Sequence, residues 1–312
     1  MDIVTHGLAG ALVARAGFEQ RVRRVATAAL VVGALLPDVD VVLGFWDQMA
    51  AIRYHRGLTH SVFGGVPLAL AAAWPIWRLV RGVRFLHIAG LVYLGILVHI
   101  GLDLPTSFGT MALAPLSWRR FALDWVFIVD FVLSGIVATG LLLGQVWRGL
   151  RTPIARMALA GLALYLGVAG LGHLGAVRGW GAWLEGRGLR PQSVAAVPVL
   201  GSPLIWKGLA ETDEALYEGA IAVFPGGNLE PVRYAKPEGN AFIARAEGVA
   251  EVEVYRAFAR FLWVRYLREG LNHIVEFTDL RYGSRREING MTLQVVLDGS
   301  ASVRAVNFNH RF

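Results

Sequence analysis

The chain of 312 residues contains no cysteine, so disulfides and cysteine-ligated zinc are excluded, and cysteine usage says nothing about redox compartment. Lysine is nearly absent, with Lys207 and Lys236 alone, and arginine supplies almost all the positive charge. Charged residues make up 17%, against about 25% in a soluble domain. That scarcity points to a membrane protein or one with a large membrane part. The net charge of +7 does not indicate nucleic acid, because the arginines lie at the ends of apolar runs and form no basic stripe. Anionic lipid head groups account for such dispersed charge. The sequence also lacks a phosphate-cradling Gly-rich loop, a His-Glu-x-x-His run and a nucleophile elbow. No basic residue precedes the first apolar run and His6 interrupts it, so no cleaved signal peptide is expected.

What the chain has instead is apolar residues, 55% of the total, with mean hydropathy +0.50. Residues 3–17 and 22–44 suggest a short helix and a second one interrupted by Pro37, paired as a hairpin. Residues 61–80, 85–104, 122–147 and 152–175 are each about the 20 residues a spanning helix needs. The expectation is an α-helical membrane bundle of about six helices, residues 1–176, followed by a smaller soluble α+β domain, residues 177–312. In the latter, 251–268 suggests an amphipathic helix. Residues 203–210, 219–224, 272–281 and 291–308 suggest strands, with Asp298-Gly299 turning the last into a hairpin. Six spans would put both termini on one face. The opposite, short-loop face carries Arg15, Arg21, Arg23, Arg24, Arg81, Arg84, Arg148, Arg151 and Arg156, which favours the cytoplasm. The site and C-terminal domain are then expected outside it.

Ionisable groups near hydrocarbon are costly and mark functional sites. His6 opens the first helix, and Asp38 and Asp40 fall late in the second. His55 and His60 precede the third, with Ser61 as its expected N-cap. His99 and Asp103 end the fourth at i, i+4 spacing, on one helix face. Simple up-down topology brings all seven to one side of the membrane. Each residue alone also fits a plain structural role; His6 fits an interfacial histidine, and Asp38 and Asp40 fit caps at Pro37. Meeting together, they match the imidazole and carboxylate donors of a divalent transition metal. Zinc is favoured, with manganese or iron as alternatives, in one or two ions. Asp124 and Asp130 start the fifth helix near the same face, and Asp130, the deeper, is the better functional candidate. His173 suits an interfacial position; His273 and His310 receive no role.

The order Thr5-His6, Leu36-Pro37-Asp38-Val39-Asp40, His55-Arg56-Gly57-Leu58-Thr59-His60-Ser61, His99 through Asp103, Thr106 through Thr110 and Leu123 through Asp130 resembles the YdjM-type family of bacterial inner-membrane proteins. That family is also labelled LexA-binding and is described as metal-dependent hydrolases. The resemblance covers about residues 1–175, with the pattern intact at every position carried over. Ser202 to Trp206 and Phe277 to Tyr282 are similar, more weakly, to longer members. The resemblance implies a metal-dependent hydrolase in the bacterial inner membrane and supplies no substrate.

The resulting expectation is hydrolysis of an ester or phosphate bond in a lipid or lipid-linked substrate by metal-activated water. His6, His55, His60, His99 and Asp103 are the expected ligands. Asp38 or Asp40 is the expected general base. Arg56, Ser107 and Asp130 are expected to hold substrate, Arg56 by clamping an anionic group. Membrane lipid is the expected partner, with no nucleic acid. The rival expectation is a non-enzymatic metal-binding membrane protein that recruits partners through its C-terminal domain.

Overall fold

The computed structural model of the chain describes residues 1–200, 202–222, 231–284 and 290–309, and only the backbone of residues 20–23. Position 310, the end of the 219–224 strand expectation and the side chains of Arg21 and Arg23 therefore lie outside the described residues. The chain divides into two compact units. One comprises Met1–Val42, Tyr54–Gly172 and Pro198–Pro203, and the other Leu43–Arg53, His173–Val197 and Leu204–Phe312.

The first unit is helical, and two further helical stretches continuous with it in the chain, within Leu43–Arg53 and from His173 to Glu185, belong to the second. Asp2 caps α1 (Ile3–Val13) by accepting the Thr5 N–H at 2.9 Å, and a tight turn leads into α2 (Glu19–Leu35). The chain then tightens into a ten-residue 3-10 segment, Leu36–Phe45, which carries Asp38 and Asp40. Helix α3 (Gln48–Tyr54) follows, then a single 3-10 turn Leu58–His60, α4 (Gly65–Leu79) and α5 (Phe85–Asp103). After a long irregular stretch come α6 (Phe131–Val146) and the 35-residue α7 (Arg151–Glu185).

By length and composition, three helical stretches among the described residues can cross a bilayer: Arg24–Phe45, Phe85–Asp103 and Arg148–Glu185. The pair Gln48–His60 and Gly65–Leu79, bent by 75°, makes a fourth if counted as one span. Of the six spans expected, three or four are thus long and apolar enough to cross. Ile3–Phe18 and Phe131–Val146 are apolar but shorter. The fifth expected segment loses residues 122–130, because backbone groups there pair with the loop after α5. Leu123 N–H bonds Leu104 O at 2.9 Å, and Trp125 N–H bonds Pro105 O at 2.7 Å. Ser61 is not the N-cap of α4, which begins at Gly65. Its hydroxyl instead accepts Gly64 N–H at 2.8 Å inside the preceding turn.

Without a hydrophobic force between helices in lipid, close backbone approach at small residues holds them together. Helices α2 and α5 meet this way. A Cβ on Gly33 would fall 2.0 Å from Val92 O, and one on Gly95 would fall 2.4 Å from Leu30 O. Gly33→Ala is therefore expected to force the helices apart and cost about 1–3 kcal/mol, as overpacking does. Gly90→Ala on the same α5, where a Cβ meets nothing within 4 Å, serves as the neutral control. Thermal unfolding in detergent compares the two, and an unshifted midpoint for Gly33→Ala would count against the contact.

The second unit holds two four-stranded sheets, ordered β1-β2-β3-β4 and β5-β6-β7-β8. The first contains β1 (Ser193–Pro198), β2 (Ile205–Glu211), β3 (Ala215–Ala222) and β4 (Val232–Ala235); the second contains β5 (Leu262–Glu269), β6 (Asn272–Asp279), β7 (Thr292–Leu297) and β8 (Val303–Asn309). The helical pattern ends later than the Gly-rich stretch at Gly179 suggests. Trp180 and Leu184 in the last turns of α7 are fully buried. The Trp180 ring lies over the cross-strand pair Gly208 and Gly219, where any Cβ would overlap it. The expected helix over 251–268 is half right. Helix α9 (Ala250–Phe258), which follows α8 (Ala241–Glu247), stops at Phe258. Residues from Leu262 on pair with β6 over eight positions, and Arg265 meets Glu276 at 2.5 Å across the strands. Cross-strand pairing outweighs a short helical pattern rich in Trp, Val and Tyr. Buried Tyr255 joins α9 to β7, its hydroxyl donating to Met291 O at 2.5 Å, and burial pushes its phenol upward from the usual value.

Candidate metal centre

Four elements of the first unit deliver the cluster. Helix α1 carries His6, and its antiparallel packing on α2 brings it level with the 3-10 segment that follows. In that segment Asp38 and Asp40 are two residues apart, so their side chains point in different directions around a tight helix. The two carboxylates flank one ring. His60 Nε2 lies 3.3 Å from Asp38 Oδ1, and its Nδ1 lies 3.2 Å from Asp40 Oδ2. Helix α5 adds His99 and Asp103 from one face, with His99 Nε2 3.3 Å from Asp103 Oδ2. The His6 and His99 rings stack at 3.7 Å between centroids. His6, His60, His99 and Asp103 are fully buried, and Asp38 is 17% exposed.

The hydrogen bonds around this cluster determine which atoms are left over. A neutral imidazole has one N–H to give. His99 Nδ1 lies 2.7 Å from Ala34 O and must donate there, which leaves Nε2 as a lone pair. Thr59 spends its single hydroxyl hydrogen on Asp40 Oδ2 at 2.5 Å. In the neutral ring, His60 Nδ1, 3.0 Å from Thr59 Oγ1, then carries the hydrogen and Nε2 is the lone pair; only the imidazolium form would donate from Nε2 to Asp38 Oδ1, 3.3 Å away. Both lone pairs face carboxylate oxygens: His60 Nε2 is 3.5 Å from Asp103 Oδ2, and His99 Nε2 is 3.6 Å from Asp38 Oδ1. Buried acceptors thus converge with no donor between them. Both His6 nitrogens, His99 Nε2 and Asp103 Oδ2 lack any hydrogen-bond partner. Unsatisfied buried groups of this kind are costly unless a cation sits among them.

Two of three candidate ligand groupings fall in this inner set, His6-Asp38-His99 and His60-His99-Asp103; the third is Asp40-His55-His60. In the third, Asp40 is already well supplied. It takes His55 Nδ1 at 2.6 Å, Arg56 N–H at 3.2 Å and Thr59, besides His60. A carboxylate that grips the far nitrogen of a ligating histidine fixes the ring and its tautomer. His55, 20% exposed, sits on the other side of Asp40 and is held outside the inner set.

Arg56 occupies a left-handed backbone position, φ 58°, of a kind that costs about 1–3 kcal/mol and concentrates at functional sites. Its guanidinium is buried, with Nη2 3.0 Å from Asp103 Oδ1 and Nη1 donating to Thr106 Oγ1 at 2.7 Å. The Met1 amino group also contacts Asp103 Oδ1. The expectation that Arg56 clamps an anionic substrate group is therefore replaced: these contacts fix Asp103 and turn its Oδ2 toward the histidines. Ser107 lies half-buried in the turn after α5. Asp130, expected to contact substrate, caps α6. Its Oδ1 accepts Leu133 N–H at 2.9 Å, and Tyr165 donates to its Oδ2 at 2.6 Å. It joins none of the ligand groupings among the described residues. Asp124 lies buried in the loop before α6, at φ 57°. Thr59, Thr106 and the Ala34 carbonyl escape the sequence reading. The two threonines sit inside the quoted motifs, which was the available signal; a backbone carbonyl leaves none.

Residues 1–176 match the family model described as YdjM inner membrane protein. Among curated proteins, the chain is similar to the uncharacterized protein YfhP of Bacillus subtilis (strain 168), 28% identical over 102 residues. That match covers 33% of this chain and 31% of the relative, so the chain spans about a third of the length of the curated relative it matches. No solved structure matches.

Proposed function

The chain belongs to the YdjM family of inner membrane proteins, and from that premise we propose that it is a membrane metal-dependent hydrolase. The observation that carries the metal is the burial of His60 Nε2, His99 Nε2 and Asp103 Oδ2 facing one another, with His99 Nε2 and Asp103 Oδ2 left without a hydrogen-bond partner. His60, His99 and Asp103, and His6, Asp38 and His99, would hold one or two divalent transition ions, and these mixed nitrogen and oxygen sets suit zinc, manganese or iron. Such an ion lowers the pKa of water toward about 7 and polarises a scissile carbonyl or phosphoryl group. The protein's own parts then have separate tasks. Asp40 and Ala34 O orient the two imidazoles, Arg56 holds Asp103, and Asp38, the ligand-set carboxylate with some exposure, lies where substrate enters. Asp40 is too heavily hydrogen-bonded to serve as the general base, and Asp38 takes that role where His60, His99 and Asp103 alone hold the ion.

The proposed substrate is an ester or phosphate of a lipid or lipid-linked molecule, since His60, His99 and Asp103 lie at the ends of apolar helical segments, where a bilayer would place its head groups. The test has two parts. Purified protein is expected to contain about one or two equivalents of transition metal, since the five donors form two groupings and one catalytic ion takes about three protein ligands plus water. A screen of phospholipids, lipid phosphates and lipid-linked peptides should give turnover that chelation abolishes and the ion restores. Metal present without turnover across the screen would favour the non-enzymatic, partner-recruiting reading.

The proposed location is the bacterial inner membrane, with the site and C-terminal domain on the extracytoplasmic side, a topology in which the shorter apolar helices Ile3–Phe18 and Phe131–Val146 cross along with the four candidate spans. The arginines of the opposite face support this orientation. A reporter inserted at Gly82 should be active in the cytoplasm and one fused after Phe312 outside it. The reverse pattern would move the site to the cytoplasmic face and leave the metal reading standing.

A further inference from the structure

Directly after α5, the segment between Thr110 and Phe121 closes into a loop through two backbone bonds of 2.9 Å. The loop is firmly tied to the site. Met111 N–H bonds Arg56 O at 2.9 Å, Val62 N–H bonds Ala112 O at 3.0 Å, and Arg120 Nη1 donates to His55 O at 3.0 Å. Its tip points the other way. Leu116 is 77% exposed and Trp118 54%, with Leu113 beside them and exposed Leu58 and Phe63 on the neighbouring turn. Arg119 lies across Phe121, 5.5 Å from the ring centre. No carboxylate occurs between Asp103 and Asp124.

A fixed, apolar and basic tip cannot rest in water without cost, and one occupant fits all its features. Helix α5 is long and apolar enough to cross a bilayer and ends at Asp103, so the loop emerges at the bilayer surface. Tryptophan beside arginine is the composition of that depth, with the ring among head groups and the guanidinium reaching phosphate. Positive charge without neighbouring acid suits anionic lipid. We propose that the Thr110–Phe121 loop is an interfacial anchor that seats Leu116 and Trp118 among anionic phospholipid head groups and sets the depth of the adjoining His/Asp cluster. The inference goes beyond the hydrolase reading and stands without it, since it concerns only where the loop lies.

The absence of cysteine makes the test direct. Leu116→Cys, and independently Trp118→Cys, are labelled with an environment-sensitive fluorophore in the full chain. Each is placed in nanodiscs of phosphatidylglycerol and phosphatidylcholine. The expected result is blue-shifted emission relative to the fluorophore conjugated to free cysteine in buffer. Quenching should be about twofold stronger from a nitroxide at head-group depth than from one at the chain end, as for an interfacial side chain. The blue shift should increase with the phosphatidylglycerol fraction, and Arg119→Gln should abolish that increase. Emission equal to the free conjugate with no quenching by lipid nitroxides, at both positions, would overturn the proposal in favour of water. Self-quenching between labelled copies, in place of lipid quenching, would overturn it in favour of a second copy of the chain.

Discussion

Asp103→Ala is expected to empty the site and to destabilise the protein by about 3–5 kcal/mol, the cost of breaking a buried ion pair by removing one partner. Asp103 faces the lone pairs of His60 and His99 with one oxygen and takes the buried Arg56 guanidinium on the other. The substitution therefore removes a ligand and strands a cation at once. The two losses separate in a double variant. Adding Arg56→Met to Asp103→Ala should recover part of the unfolding midpoint, because the stranded charge is gone. It should recover none of the metal. Elemental analysis and thermal unfolding of the single and double variants read the two effects. Full metal content in Asp103→Ala would remove this carboxylate from the ligand set.

Asp40→Asn should weaken metal binding by about 10–100-fold, the usual effect of losing a carboxylate that orients a ligating histidine. The loss arises because Asp40 Oδ2 accepts from His60 Nδ1, Thr59 and the Arg56 N–H together, and a neutral amide oxygen is a weaker acceptor than a carboxylate, while the amide NH2 takes the place of Oδ1 beside His55. His55→Ala should have a smaller effect, since His55 touches the far oxygen of Asp40. Competition with a chelator of known affinity ranks wild type, the two variants and His60→Ala. Unchanged affinity in Asp40→Asn would return Asp40 to the pool of candidate general bases. Loss in His55→Ala as severe as in His60→Ala would bring His55 into the ligand set and favour the outer grouping.

The site was more legible in the sequence than the architecture around it. His6, Asp38, His60, His99 and Asp103 could be singled out because polar residues at the edges of apolar runs are rare, and their segment order sends them to one side. The same reasoning overcounted spans. Hydropathy counts apolar residues without regard to backbone conformation, and residues 122–130 are apolar yet bond to the loop after α5 instead of forming a helix. Asp130 looked functional for its depth, but depth along a segment does not distinguish a ligand from a helix cap. In the second unit, the run 251–268 had two readings with similar local preference, and pairing with β6 decided for strand from Leu262 on.

By itself the sequence determined the membrane character, the family pattern over residues 1–176 and the donor types of the centre, because composition, order and chemistry need no folded context. Only the tertiary structure decided which donors face one another and which are held apart by hydrogen bonds. His55 and His60, five positions apart in one motif, part company because Asp40 lies between them, and Arg56 turns inward because Asp103 and Thr106 lie within its reach. Those distinctions rest on hydrogen bonds between groups tens of residues apart, formed when helices approach closely enough for glycine to be required at Gly33 and Gly95. A linear sequence names both partners of such a bond, and only packing brings them within 3 Å or so of each other.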